Sequence, residues 1–369
     1  MYKIDLSDYK LTKYYFYLFD IMIKEKSIRK EELLMDNKIS PSTYRRCRQL
    51  EQNIGFVIVD KLCKVLDIKV TPNEIIDEVE EKMNNIYMNI YYSIYNTLKE
   101  DLDYLNNLIK ENYTITPILK LIRLLILGYE DIDTSKYILS YVDDYNELKI
   151  YKSFYSDNLL MLYDTISVLF KSKVDDNYLL NENKDCIYYY ILSSKLCDEK
   201  RYIECFYVMN IIEEILIKEK NFKRLLTLYT KKMHILNTLG DYKSCFELAY
   251  MQFYALKSFK DAEYEFKYTI AQLVISALGL KKYKIIYDVL TTKDKVNIDD
   301  ILCLLISIYY INNEKFDESY NYYYENLEGD NRKYLESLYK YLMTKNKNEL
   351  QVLENTKINM NIIKALTVK

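Results

Sequence analysis

Apolar residues recur along this chain at spacings of three and four, in runs of helix length, with polar residues between them. That period lays one apolar stripe along a helix. Leu11, Tyr14, Tyr15, Leu18, Ile21 and Met22 predict a first helix, and residues 27–35 a short second one. Residues 36–39 predict a turn. Ser40 then reads as an N-cap and Pro41 as the first residue of a third helix, because proline's missing N–H is not needed there. Beyond Gly55, the apolar positions Val57, Ile58, Leu62, Val65 and Leu66 predict a fourth helix. Thr71-Pro72-Asn73-Glu74 reads as a capping box. It opens one long helix whose apolar positions run from Ile75, Val79 and Met83 to Leu102, Leu105 and Ile109. Residues 112–184 continue as helical pairs, with breaks expected near Thr116-Pro117 and around 175–184.

The C-terminal half repeats one plan four times. A turn, an aromatic residue and a small or apolar residue three positions later follow each helix-length apolar run. The aromatics are Tyr202, Tyr242, Tyr283 and Phe316, at steps of 40, 41 and 33 residues, and Gly240-Asp241-Tyr242 is the clearest turn. A unit of this size cannot bury its apolar face alone and must stack on its neighbours, which predicts a helical solenoid with a concave binding face.

Composition changes the picture in three ways. Five Gly and three Pro in 369 residues leave few turns for a β-rich fold, so the expected class is all-α. Forty-two Tyr without a Trp, among many Ile, Lys and Asn, point first to an AT-rich coding source and only then to aromatic binding chemistry. Seven Cys, an odd number without zinc-type spacing, predict reduced and mostly buried thiols. No secretory leader and no run long enough to span a bilayer are visible, so a soluble, cytoplasmic protein is expected. Residues 1–72 hold fourteen Lys/Arg against ten Asp/Glu; the remainder holds 38 against 45. A mildly basic head precedes an acidic body.

The head concentrates its chemistry after Ser40. A short helix, a turn ending in Ile-Ser, and a helix opening Ser42-Thr43-Tyr44-Arg45-Arg46-Cys47-Arg48 resemble a helix-turn-helix DNA-binding unit. Ser42, Thr43 and Tyr44 have the reach to meet bases or phosphates, and Arg45, Arg46 and Arg48 offer bidentate donors. The usual Gly-x-x-x-Pro of the commonest repressors is missing. A capping bundle with a solvated arginine face is the alternative. The long helix admits two readings as well, a lever or dimer seam between head and body, or simply the first helix of the repeats.

From residue 185 onward the pairs resemble tetratricopeptide repeats, without their consensus Trp and terminal Pro. The first helices, about 186–199, 222–239, 260–279 and 299–312, would line the concave surface. On the inward stripe lie Thr227, Thr230, His234, Asn237 and Thr238, with Tyr190, Ser194, Tyr268 and Gln272 on or beside neighbouring stripes. Asn and Gln offer a donor and an acceptor each, suited to an extended peptide backbone, and Tyr adds apolar area with a polar tip. An ordinary solvated face is the alternative. The expected organisation is a helix-turn-helix domain over 1–70, a connector helix over 71–112 and a degenerate repeat domain over 113–369.

A helix-turn-helix head on a degenerate tetratricopeptide body is similar to the Rap–NprR–PlcR–PrgX group of peptide-sensing, quorum-sensing regulators, including the Rgg and arbitrium-receptor (AimR) branches. The motifs that carry the resemblance are residues 40–48 and the four turns. It implies a cytoplasmic homodimer that binds a two-half-site DNA operator and is switched by a short signalling peptide held in the repeats. The competing expectation is a repeat adaptor that binds a protein partner and no DNA. Catalysis finds little support: one histidine, His234, excludes a two-histidine metal site, and no phosphate loop or Gly-x-Ser-x-Gly occurs. No cofactor and no metal site are expected.

Overall fold

The structure, a computed structural model, describes residues 3–49, 56–92, 94, 97–130, 134–171, 173–174, 185–256, 263–292, 297–351 and 362. Gly55, the break expected at 175–184 and the start of the helix expected at 260–279 lie outside them. Among the described residues the regular elements are helices, apart from one isolated bridge between Lys69 and Tyr113. No described helix is long and apolar enough to cross a membrane. The chain divides into two compact units, Met1–Lys220 and Asn221–Lys369, so the division falls within the stretch expected as one repeat domain.

The first unit begins with α1 (Thr12–Glu25), α2 (Lys30–Asp36), α3 (Pro41–Gln49) and α4 (Phe56–Leu66). The helix α1 is buried more widely than its predicted stripe: Phe16, Phe19 and Ile23 join Tyr15, Leu18 and Ile21 in the core. Both α3 and α4 pack on α1, as do the 3-10 turns Ser7–Lys10 and Lys152–Phe154. An amphipathic period describes a helix covered on one side; this one is covered on several.

The long helix expected over 71–112 is divided into α5 (Asn73–Tyr91) and α6 (Leu98–Lys110). Residues 91–97, Tyr-Tyr-Ser-Ile-Tyr-Asn-Thr, are all weak helix formers. Asn89 spans the break by donating its Nδ2 to the Thr97 hydroxyl at 3.0 Å. The capping box is also corrected, because Thr71 makes no side-chain cap to α5. It is buried instead, its hydroxyl 2.8 Å from that of Thr114. Ile115 N donates to the same Thr71 oxygen at 3.3 Å. A cap that finds a better partner in the tertiary structure leaves the helix end.

The first unit continues with α7 (Thr116–Glu130), α8 (Thr134–Ile150), α9 (Asp157–Phe170), α10 (Cys186–Asp198) and α11 (Tyr202–Lys218). The break expected near Thr116-Pro117 falls at residues 111–115, and Thr116-Pro117 opens α7 after it, proline being tolerated in a first helical turn. The N-terminal strand of chain is bonded to later elements. Ile4 exchanges two 2.8 Å hydrogen bonds with the Asn84 carboxamide on α5. Leu6 N donates to Glu80 at 2.8 Å. The buried Tyr9 hydroxyl donates to Phe154 O at 3.1 Å and accepts from Ser156 N at 2.8 Å.

The second unit holds α12 (Phe222–Leu239), α13 (Tyr242–Leu256), α14 (Glu263–Gly279), α15 (Tyr283–Leu290), α16 (Ile298–Ile311), α17 (Phe316–Asn326) and α18 (Asp330–Thr344). Its helices pair in sequence, and α12 packs on α14 as α14 packs on α16. All four plan-bearing aromatics are the first residue of a helix: Tyr202 of α11, Tyr242 of α13, Tyr283 of α15 and Phe316 of α17. In the second unit each meets a later first helix. Tyr242 lies against Gly279 at the end of α14. Tyr283 stacks on Tyr310 of α16 at 4.4 Å, and Phe316 stacks on Tyr339 of α18 at 5.5 Å. The residue three positions later is fully buried in three cases, Cys205, Cys245 and Ile286. Cys205 Sγ lies 3.1 Å from Ser193 O and Cys245 Sγ 3.4 Å from Met233 O, both twelve residues back, so the two turns share one geometry.

Two glycines fix this turn for different reasons. Gly240 has φ 81° with open space around it, so Gly240→Ala is expected to lose about 1 kcal/mol through the backbone alone. A Cβ on Gly279 would overlap the Tyr242 ring near its base, so Gly279→Ala is expected to lose about 1–3 kcal/mol. Urea unfolding of the single and double variants checks both: Tyr242→Ala should remove most of the Gly279→Ala penalty and none of the Gly240→Ala penalty.

Candidate functional site

The head site is built from α1, α2 and α3. Ser40 caps α3, its hydroxyl accepting from Thr43 N at 3.1 Å and lying 2.9 Å from Ser42 Oγ and 2.7 Å from Thr43 Oγ1. The turn before it closes with Ile39 N donating to Leu34 O at 2.8 Å, with Lys38 in the left-handed region and Ile39 buried. Three hydroxyls therefore gather at the start of α3. Arg45 and Arg46 are exposed and form no ion pair or hydrogen bond with a described residue.

Tyr44 departs from the expectation that it faces a partner. It is 3% exposed and packs edge-on against Phe16 of α1, ring centroids 4.8 Å apart. Its hydroxyl donates to Asp20 Oδ1 at 2.9 Å. Burial, and then the adjacent carboxylate, push its phenol far above the ordinary range, so it stays a neutral donor. A tyrosine one turn into a short helix is the longest apolar lever available to anchor it, and here that use prevails over base contact. Cys47, also buried, completes the inner face of α3.

Asp20 is the residue that sequence reasoning missed. Besides Tyr44 it receives Lys30 Nζ at 2.5 Å and Arg48 Nη1 at 3.3 Å. Lys30 Nζ also sits 4.1 Å over the Tyr44 ring, and the Arg48 guanidinium 5.6 Å over the Tyr17 ring. One carboxylate thus ties α1, α2 and α3 together. Its signal in the sequence was an acidic residue flanked by Phe19 and Ile21 inside an apolar run.

The peptide-binding candidates fall in both units. Tyr190 and Ser194 lie on α10 of the first, each half-buried, with the Ser194 hydroxyl donating to Tyr190 O at 3.1 Å. In the second unit, Thr227, Thr230, His234 and Asn237 lie on α12, and Tyr268 and Gln272 on α14. Asn237 and Gln272 are corrected from exposed clamps to buried partners: Asn237 Nδ2 donates to Gln272 Oε1 at 2.8 Å and to its backbone oxygen at 3.2 Å. Thr230 is half-buried and accepts from Gln252 Nε2 at 3.1 Å, while Gln252 also donates to Thr269 at 3.0 Å. Thr227 donates to Glu265 at 3.3 Å. These polar side chains stitch α12, α13 and α14 to one another. Amides and hydroxyls between packed helices bond each other before they are free for a ligand, here through the amide nitrogens; Asn237 Oδ1 and Gln252 Oε1 are buried without a hydrogen-bond partner among the described residues.

Of the candidates on these helices, His234 and Tyr268 stay open to solvent, with Thr227, Thr230 and Thr238 half-buried. Surrounding protein atoms and the nearby Lys231 charge hold the His234 imidazole below its ordinary pKa, so its neutral form, with one donor and one acceptor, is favoured. All seven cysteines are free, six of them buried. Burial raises the Cys63 and Cys245 thiols to about 12, so neither is a ready nucleophile. Among the described residues no cluster of three His, Cys, Asp or Glu side chains is placed to hold a metal ion.

Comparison of the chain with protein-family models, with curated proteins and with solved structures finds no match. Function therefore rests on the geometry of the two sites.

The Asn237–Gln272 pair yields a stability prediction. Asn237→Ala strands the Gln272 carboxamide in the core and should cost about 1–3 kcal/mol, while the double change to Leu at both positions should recover much of that loss. Chemical denaturation of the two variants measures it; a double variant no more stable than Asn237→Ala would show that the two side chains do not act as a pair.

Proposed function

We propose that this chain is a DNA-binding transcription regulator whose repeat body holds a short signalling peptide that switches DNA binding. The observation that carries this reading is α3. Its inner face, Tyr44 and Cys47, is locked to α1, and its outer face presents Arg45 and Arg46 beside a hydroxyl-rich helix start. A short helix held rigidly by its inner face, with unpaired guanidiniums outward, has the form of an element that enters a major groove. Arg45 and Arg46 supply bidentate donors for guanine or phosphate, and Ser42 and Thr43 hydroxyls that accept or donate.

The repeat body is read as tetratricopeptide-like. Support comes from the paired helices, the first-helix packing of α12, α14 and α16, and the aromatic that opens each second helix. In such a stack His234, Tyr268 and the threonines of α12 are the contacts for an extended peptide. A peptide acts only through its unequal affinity for DNA-competent and incompetent arrangements, which in the family that this chain resembles are arrangements of a homodimer.

A second reading, a repeat adaptor without DNA binding, draws on a different observation. The head is bonded to the body through Ile4–Asn84, Leu6–Glu80 and Tyr9–Phe154, which suits a capping bundle. The two readings part on salt dependence, since phosphate contacts release counterions and a protein partner need not.

The decisive variant is Arg45→Ala with Arg46→Ala. Both side chains are exposed and unpaired, so thermal stability should shift little. In a gel-shift assay, duplex affinity should fall at least about tenfold, and the salt slope should flatten by about 0.9 for each lost phosphate contact. Unchanged affinity would remove α3 from the function.

A further inference from the structure

The carboxylate of Asp20 has three partners that are not equivalent. Lys30 and Tyr44 both bond Oδ1, at 2.5 and 2.9 Å, and Tyr44 is buried. Arg48 alone takes Oδ2, through one nitrogen at 3.3 Å, and its side chain remains 48% exposed. Of the three contacts this exposed single-point ion pair is the most readily broken. If Arg48 leaves, Asp20 keeps two partners and no charge is stranded. If Tyr44 leaves, α3 loses its anchor, and if Lys30 leaves, α2 loses its tie to α1.

Arg48 also sits one turn of helix beyond Arg45 and shares the exposed side of α3 with it and Arg46. Its guanidinium has five N–H donors in a planar fork, and the contact with Asp20 is an ion pair without a hydrogen bond. A phosphate takes such a fork at two points and brings a stronger field. The same arginine therefore has two possible anionic partners, one internal and already in place, one external.

From this geometry we infer that Asp20 restrains Arg48 from a nucleic-acid phosphate while it positions α3, which makes it a built-in brake on duplex binding. The inference rests on the proposed DNA-binding role of α3. Asp20 touches no nucleic acid itself. Through Tyr44 it sets where Arg45 and Arg46 point, and through Arg48 it withholds one phosphate contact. The other charged group facing this carboxylate is Lys30, which stays bound to Oδ1 in either arrangement.

Asp20→Asn separates the two roles, because the carboxamide oxygen still accepts from Tyr44 and Lys30 while the charge that holds Arg48 is gone. The probe is a random-sequence DNA duplex of about 30 base pairs, titrated by fluorescence anisotropy with the full chain across a salt series. Asp20→Asn should bind about three- to tenfold tighter and steepen the salt slope by about 0.9. Arg48→Ala alone should change affinity less than about twofold, and Arg48→Ala added to Asp20→Asn should abolish the gain. A purely structural Asp20 would instead lose affinity and thermal stability together on Asp20→Asn. That result, or an unchanged affinity, overturns the inference provided that the Arg45→Ala, Arg46→Ala variant has lost binding. If the double-arginine variant binds like the unaltered chain, the DNA-binding role falls and the brake falls with it.

Discussion

Tyr44 is held to α1 by two interactions at once, an edge-on contact with Phe16 and a hydrogen bond to Asp20, and the placement of α3 in the head depends on them. A nine-residue helix is too short to persist alone in water. What fixes it is the burial of one face, and burying an aromatic of this size contributes about 1.5–3 kcal/mol. The phenol needs an acceptor inside, and Asp20 supplies it. Because the inner face is committed, the outer face is defined: Ser42, Arg45 and Arg46 point away from α1.

The same rule organises the second unit. A pair of helices leaves apolar surface that only a neighbouring pair covers, and an aromatic at the head of each second helix provides the contact. Tyr242 on Gly279, Tyr283 on Tyr310 and Phe316 on Tyr339 are three versions of one joint. The polar side chains between α12, α13 and α14 add direction to it, since a hydrogen bond between carboxamides sets register where apolar packing alone tolerates sliding.

Much of this was legible in the residue pattern. The four turns lie where the repeated aromatics put them, and the cap at Ser40 forms as its spacing indicates. Other features escaped because periodicity reports which face is apolar and not what covers it. Phe16 and Phe19 lie off the predicted stripe yet are fully buried, since α1 is packed on several sides. Thr71 had the spacing of a cap and found Thr114 instead, a partner 43 residues away that no local rule anticipates. Asn237 and Gln272 looked like ligand contacts because a polar residue on a helix face has no visible partner in a sequence. Tyr44 looked like a base contact for the same reason. The role of Asp20 emerged only when α1, α2 and α3 were brought together in space.

The most direct test of the central claim is the salt dependence of duplex DNA binding by the unaltered chain, followed by fluorescence anisotropy from about 50 to 200 mM salt. Phosphate engagement by Arg45 and Arg46 predicts measurable binding at low salt and a log–log slope of about −2, from roughly 0.9 per contact. Absence of binding at the lowest salt, or a slope near zero, would contradict it and leave α3 as the solvated face of a capping bundle.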